Sequence, residues 1–237
     1  RRVLFRSDQI TGAGNEIFKA GGMNINYMAY NTSRAPFNDA NLRRAISQAI
    51  NVPELVKSLY QGYSEPATSI LPTFMNGYDP SIAQVAYDPT VAEKTLKAAG
   101  LTSVKIMTYT NPRPYNAATG QALAEAIQGY LSKVGVTATI DSYDWTTYKE
   151  KLKAGNYDIC FYGWIGDNGD PDNFMYLLAH EDPTTNVALY KNDEFNNLIA
   201  KGLTIPAGDE RNAVYTELEK IAATDAPWLP ISHAETL

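Results

Sequence analysis

The stretch Tyr157-Asp158-Ile159-Cys160-Phe161-Tyr162-Gly163-Trp164-Ile165-Gly166-Asp167-Asn168-Gly169-Asp170-Pro171-Asp172-Asn173-Phe174 decides the reading of this chain. Its first six residues form a mostly apolar run that predicts a strand. The glycines that follow loosen the backbone into a turn. Asp170 and Pro171 then predict a helix start, with a side-chain oxygen at the N-cap and proline at N1. Strand, turn and helix in that order set Trp164 and Asp167 at the carboxyl end of a strand, where open α/β sheets bind ligands. A ring and a carboxylate in that place are the chemistry of a site.

Working outward, elements alternate. Ile25 to Asn31 has the period of a strand, and Asn38 or Asp39 caps a helix running to Ile50, with Leu42, Ala45, Ile46 and Ala49 on one face. Pro53 starts a second helix ending near Tyr60. The Pro-, Gly-, Ser- and Tyr-rich segment from Gln61 to Asp88 reads as a long surface loop and a candidate pocket rim. Asp88-Pro89 opens a helix stopped by Gly100. A strand Val104 to Tyr109, a helix from about Asn116 to Val134 and a strand Val136 to Ile140 follow. Next come a short helix Trp145 to Lys153, the Cys160 strand and the site helix. Helices near Glu194 to Gly202 and Asp209 to Ala223 precede a last strand, Trp228 to His233. This alternation implies an α/β fold with a mostly buried sheet.

Composition removes several classes of function. A formal charge of −6 and the lack of any lysine or arginine cluster argue against nucleic acid as a partner. No run approaches the roughly 20 apolar residues of a membrane span. Cys160, the single cysteine, reads as a buried inert thiol in its strand and can form no internal disulfide. His180 and His233 lack Cys or His neighbours at zinc spacing. Asn168, Asp170 and Asp172 have the spacing that opens a calcium loop, but Asn173 and Ala179 stand where such a loop needs glycine and glutamate. No metal and no cofactor is expected. The chain has no GxSxG elbow, P-loop or dinucleotide fingerprint, so no catalytic residue is assigned. A hydrolase using Asp141 with Asp144, or Asp167 with Asp170, is the alternative from a different class.

Some candidate residues have a plain structural reading as well. Asp170 and Asp172 read as first-turn acids, since helix N-termini favour negative charge. Asp167 lies upstream of the cap and reads as a ligand contact. Trp145 is either a core ring or a pocket wall, and Arg113 either a solvated loop charge or an anchor.

The run Gly163 to Phe174 resembles the ligand-anchoring segment of bacterial dipeptide-binding proteins, the extracytoplasmic family 5 solute-binding receptors of peptide ABC importers. Asn111-Pro112-Arg113-Pro114-Tyr115-Asn116 is similar to a second family segment. The resemblance extends through Ala35 to Ile46 and through Trp228 to His233. It implies that Asp167 pairs with the peptide's free ammonium, that Arg113 grips its carboxylate, and that Trp164, Trp145 and Tyr115 line the pocket. The chemistry agrees: a closed site must satisfy both charges of a zwitterion, arginine's fork fits a carboxylate, and aromatic walls tolerate varied side chains.

The same resemblance implies the fold: the carboxy-terminal lobe of a type II periplasmic-binding-protein-like receptor, with a mixed sheet flanked by helices and incomplete without its amino-terminal lobe. Residues 1–7, Arg1-Arg2-Val3-Leu4-Phe5-Arg6-Ser7, read as a translated sequencing adapter, as in a truncated reading frame from assembled environmental DNA. Residues 8–22 read as the tail of a preceding lobe or a linker, and 23–237 as the ligand-binding lobe with the start of a return strand. The implied ligand is a dipeptide or short peptide. Within the superfamily, longer oligopeptides, nickel chelates, glutathione and haem are the alternatives. The implied partners are an ABC permease and the missing lobe, and the implied location is periplasmic or extracytoplasmic, with a lipid anchor as one form.

Overall fold

The computed structural model describes residues 20–82 and 85–236. The expected adapter at 1–7 and all but the last three residues of the expected linker lie outside them. The chain forms β1 (Ala20–Gly21), β2 (Asn24–Tyr30), α1 (Ala40–Gln48), α2 (Val52–Tyr60), β3 (Ser64–Pro66), α3 (Pro89–Ala98), β4 (Ser103–Tyr109), α4 (Gly120–Lys133) and β5 (Thr137–Tyr143). It continues through α5 (Trp145–Ala154), β6 (Ile159–Ile165), α6 (Asp172–Met175) with a 3-10 turn at Tyr176–Leu178, α7 (Asp193–Thr204), α8 (Asp209–Asp225) and β7 (Trp228–Thr236).

Helix starts follow local chemistry. Asp39, Asn51, Asp88 and Asp144 each accept a hydrogen bond from a first-turn N–H of α1, α2, α3 and α5. α4 begins later than expected: Thr119, not Asn116, caps it by accepting from the Ala122 N–H at 3.0 Å. Asn116 is instead spent in the preceding loop, where it and Arg113 exchange backbone hydrogen bonds at 2.9 Å.

The described strands form one mixed sheet in the order β1-β7-β2-β6-β4-β5, with β3 also on β7. β5, β4 and β6 run parallel; β2 is antiparallel to both β6 and β7. β2 sits in the middle with all seven residues buried, so its sequence alternation creates no solvent face. Its asparagine amides are held from the neighbouring elements: Asn24 exchanges hydrogen bonds with the Ala234 backbone, and Asn26 donates to the Tyr60 hydroxyl, while Asn26 Oδ1 and the Tyr27 hydroxyl are buried without a partner among the described residues. The sheet is therefore buried as expected, and helices flank it.

The expected loop from Gln61 to Asp88 contains the short strand β3, which escaped notice because three residues carry no readable period. The remainder is pinned to α8, where Glu219 accepts from the Ser69 hydroxyl and from the N–H groups of Leu71 and Asp79. β6 also runs farther than expected, through Gly163 to Ile165, so Trp164 lies on the strand and only Asp167 on the turn.

Candidate functional site

The site grows out of the sheet's connectivity. β4 leads through α4 to β5 on one side, and β5 leads through α5 to β6 on the other, so β4 and β6 flank a topological switch point. Loops leaving the carboxyl ends of strands at such a point diverge and leave a crevice. Here the β4–β6 ladder has only the pairs Ile106↔Ile159 and Met107↔Cys160, while β6 continues to Ile165. Beyond the last pair, the Tyr148 hydroxyl donates to Phe161 O at 2.6 Å and accepts from Phe161 N at 3.2 Å, standing in for a β4 residue. Tyr115 closes against the strand at the next position: a Cβ on Gly163 would lie 2.3 Å from its ring. Glycine is required there because an aromatic wall packs on the backbone.

One bank of the crevice holds Arg113, Tyr115 and Trp145. The Arg113 guanidinium carbon lies 3.8 Å from the centre of the Trp145 ring, a cation–π contact. Trp145 stacks on Tyr162 at 5.4 Å, and Tyr115 lies 6.4 Å from Tyr162. Burial pushes the Tyr115 and Tyr162 phenols up; the Arg113 charge opposes this at both. Tyr162 therefore joins Tyr115 and Trp145, which are far apart in the chain. Among the described residues, Arg113 Nε and the Tyr115 hydroxyl are buried without a hydrogen-bond partner.

The loop that carries Arg113 is anchored by Asn116, which is fully buried. Its amide donates to the Tyr109 hydroxyl and accepts from the Tyr60 hydroxyl, both at 2.9 Å, and Asn26 donates to Tyr60 in turn. β4, α2 and β2 are thus tied to the arginine loop by neutral hydrogen bonds.

The other bank holds Trp164 and Asp167. Tyr162 and Trp164 are two apart on β6, so their side chains leave one face roughly 7 Å apart. Trp164 Nε1 donates to Asn173 Oδ1 at 2.9 Å, and the same oxygen accepts the Asp167 N–H at 2.9 Å. Trp164 is half-buried and the Asp167 side chain is exposed. The structure thus brings Arg113, Tyr115 and Trp145 together around Tyr162, and Trp164 and Asp167 together around Asn173.

Asp170 and Asp172 have structural partners. Asp170 receives two hydrogen bonds from Arg211 at 2.9 Å, and Asp172 accepts from the Tyr215 hydroxyl at 3.2 Å. Burial raises the Asp170 carboxyl, but the Arg211 hydrogen bonds and the Asp172 N–H outweigh it and leave it below the usual range. Burial holds Asp172 above that range. Asp170 is not the formal N-cap of α6: the helix opens one residue later, after Pro171, although Asp170 still accepts the Asp172 N–H at 2.9 Å. The helix itself is one turn long, shorter than a site helix would be expected to be.

Cys160 is buried and its thiol is pushed up by burial. Among the described residues no group of His, Cys, Asp and Glu is arranged to hold a metal ion. An open groove of about 440 Å³ lies apart from the crevice, lined by Gly21, Pro66, Phe74, Tyr78 and His233 among others. The expected pocket rim at 61–88 thus lines this groove, and none of Arg113, Tyr115, Trp145, Trp164 or Asp167 does.

Sequence reasoning missed Tyr162, Asn116, Asn173 and Arg211. The first was findable, because residues two apart on a strand share a face. Asn116 and Asn173 stand inside the quoted motifs, but their roles need the partners. Arg211 carries no local signal; 41 residues separate it from Asp170.

The model of bacterial extracellular solute-binding proteins, family 5 (Middle), matches residues 5–186. The dipeptide-binding protein of Escherichia coli is 33% identical over 219 residues, 90% of this chain and 41% of its own length. Heme-binding protein A of Haemophilus influenzae is 30% identical over 229 residues, 92% of this chain and 41% of its own. The periplasmic binding protein DppA of Helicobacter pylori, solved with the peptide STSA, superposes with a TM-score of 0.86 at 30% identity, covering 97% of this chain and 45% of that one. The chain spans less than half the length of each of these relatives. Among the described residues no helix is long and apolar enough to cross a membrane.

Proposed function

The chain belongs to the family 5 bacterial extracellular solute-binding proteins, and from that premise we propose that it is the ligand-anchoring part of a peptide receptor serving an ABC importer. The receptor captures dipeptides or short peptides by their termini. Asp167 takes the free ammonium, Arg113 takes the carboxylate, and Trp164, Trp145 and Tyr115, with Tyr162, bury the side chains between. No bond is made or broken, so the protein is a binder and not an enzyme. It works outside the cytoplasmic membrane, free or lipid-anchored, and a complementary amino-terminal lobe completes the cleft and closes by hinge motion before delivery to the permease.

One observation carries the reading: a guanidinium stacked on the Trp145–Tyr162 ring pair and an exposed carboxylate beside Trp164 stand on two loops at a switch point. Arginine stacked on tryptophan keeps its planar fork oriented for a carboxylate. An exposed carboxylate remains available to a cation. The similarity to a heme-binding protein at 30% identity favours, as second reading, another small anionic ligand held by Arg113 and the flat rings.

Calorimetric titration separates the two. The probe set is alanyl-alanine, the same dipeptide acetylated at its amino end and amidated at its carboxyl end, and haem, added to this chain joined to a complementary amino-terminal lobe. The peptide reading expects the free dipeptide to bind and each block to weaken it. Replacing Asp167 or Arg113 by Ala is expected to cost about 2–5 kcal/mol of binding, because the ligand's charge loses its partner. Indifference to both blocks would overturn it.

A further inference from the structure

We propose that Asn173 is a positioning residue that holds Trp164 and Asp167 as one unit for a ligand's ammonium group. The inference takes its ligand from the peptide reading above and its geometry from this chain alone. A single carbonyl oxygen, Asn173 Oδ1, accepts from both Trp164 Nε1 and the Asp167 N–H, each at 2.9 Å. An amide oxygen has two lone pairs, so its capacity is filled by these two bonds. The donor side of the same amide faces Asp167 Oδ2 at 3.5 Å. That is too long for a firm hydrogen bond, so the carboxylate is oriented without being taken up. It remains exposed, with its acceptor capacity directed to a ligand.

The amide can do this because its own position is imposed from the core. Asn173 lies between Asp172, which accepts from Tyr215, and Phe174, which is fully buried. The turn itself rests on that ring: a Cβ on Gly166 would lie 2.8 Å from Phe174 Cε2. Asp167 follows a glycine and precedes Asn168-Gly169, so the local backbone supplies little restraint of its own. The Asn173 oxygen fixes both the indole's rotation and the carboxylate's backbone. A cation that meets an aligned carboxylate avoids the cost of ordering it, and a ligand without the cation gains nothing from that alignment.

The test is hydrogen exchange of the ¹⁵N-labelled chain in three forms: unaltered, Asn173→Ala and Asn173→Asp. Asn173→Ala should speed exchange at the Trp164 indole and the Asp167 amide by about tenfold or more while leaving the Trp228 indole unchanged. Asn173→Asp keeps an acceptor oxygen and should restore protection at the Trp164 indole, but it sets a second carboxylate oxygen against Asp167 Oδ2 and should leave the Asp167 amide less protected than in the unaltered chain. In the lobe-completed receptor, Asn173→Ala should weaken alanyl-alanine by about tenfold and leave its acetylated form unaffected. Unchanged exchange, an equal rise at Trp228, or the same loss of affinity for both peptides would overturn the proposal. Should the unaltered receptor bind no dipeptide, the peptide reading fails, and the exchange experiment still decides whether Asn173 positions the pair.

Discussion

The two charged residues of the crevice are held by opposite means. Arg113 is half-buried, stacked on Trp145, and its loop is pinned by the buried neutral amide of Asn116. Asp167 is exposed on a glycine-bearing turn whose support comes from Asn173 and, behind it, from the ionic pair Asp170–Arg211. A cation on a flexible stem needs a stacking surface to keep its fork oriented, whereas a carboxylate on a short stem needs only its backbone placed. The arginine bank therefore shares its contacts with the core directly, while the exposed Asp167 carboxylate reaches the core only through Asn173 and the turn that rests on Phe174.

That difference sets the expected order of effects. Asn116→Ala should cost about 3 kcal/mol of unfolding free energy, since it leaves the Tyr60 and Tyr109 hydroxyls buried with broken hydrogen bonds. Urea denaturation with an unchanged slope checks this, and a loss under about 1 kcal/mol would break the contrast between the banks.

The anchor of the 61–88 loop on α8 should respond to pH instead. α8 carries Arg211, Tyr215 and Glu219 at helical spacing, and burial pushes the Glu219 carboxyl up to about 7 from an ordinary 4.5. The folded state binds that proton more tightly, so the associated stability is present below about pH 4.5 and is lost as pH rises towards 7. The loss should amount to no more than about 3 kcal/mol. Unfolding midpoints measured between pH 4 and 8 should show the decline, and Glu219→Gln should flatten it.

Asp170→Asn should cost about 1 kcal/mol at neutral pH, a small figure because the carboxylate is 38% exposed and its pairing with Arg211 is screened by solvent. The sign is opposite to that of Glu219. The Asp170 carboxyl is held low when folded, so its contribution is present above the ordinary 3.8 and disappears as pH falls through the lowered value. The gap between Asp170→Asn and the unaltered chain should therefore close in acid. The smallest effect belongs to Asp167→Ala, with a change in folding stability within about 0.5 kcal/mol by thermal unfolding, as for other exposed positions. A large loss there would show that Asp167 is structural and remove its separation from the core.

Much of this was readable in advance. The caps at Asp39 and Asp88 are local chemistry: an acceptor side chain ahead of a helical run, bonding within three residues. The expectation that Asp170 and Asp172 serve structure came from their place at a helix start, and their partners Arg211 and Tyr215 agree with it. Trp164 lies on the strand although the sequence puts it on the turn, because Gly163 looks like a breaker. It is instead the residue that lets Tyr115 pack on the strand. Asn116 stands at the expected start of a helix, but the network that draws it into the loop reaches Tyr60 and Asn26, 56 and 90 positions upstream, and leaves no local mark.

By itself the sequence determined the alternation of elements, the buried sheet, the family, and the residue types that could meet a zwitterion. The elements depend on period and capping, which act over a few residues, and the family is carried by the resemblance of the Gly163 to Phe174 and Asn111 to Asn116 segments. Only the tertiary structure decided that β5 connects across β4 to β6, and so where the crevice opens. It alone seated Arg113 on Trp145, packed Tyr162 against Trp145 and Tyr115, and gave one asparagine oxygen to Trp164 and Asp167 together. The physical reason is that stacking and buried hydrogen bonds select partners by proximity in space, and strand order sets that proximity without leaving a mark on local sequence.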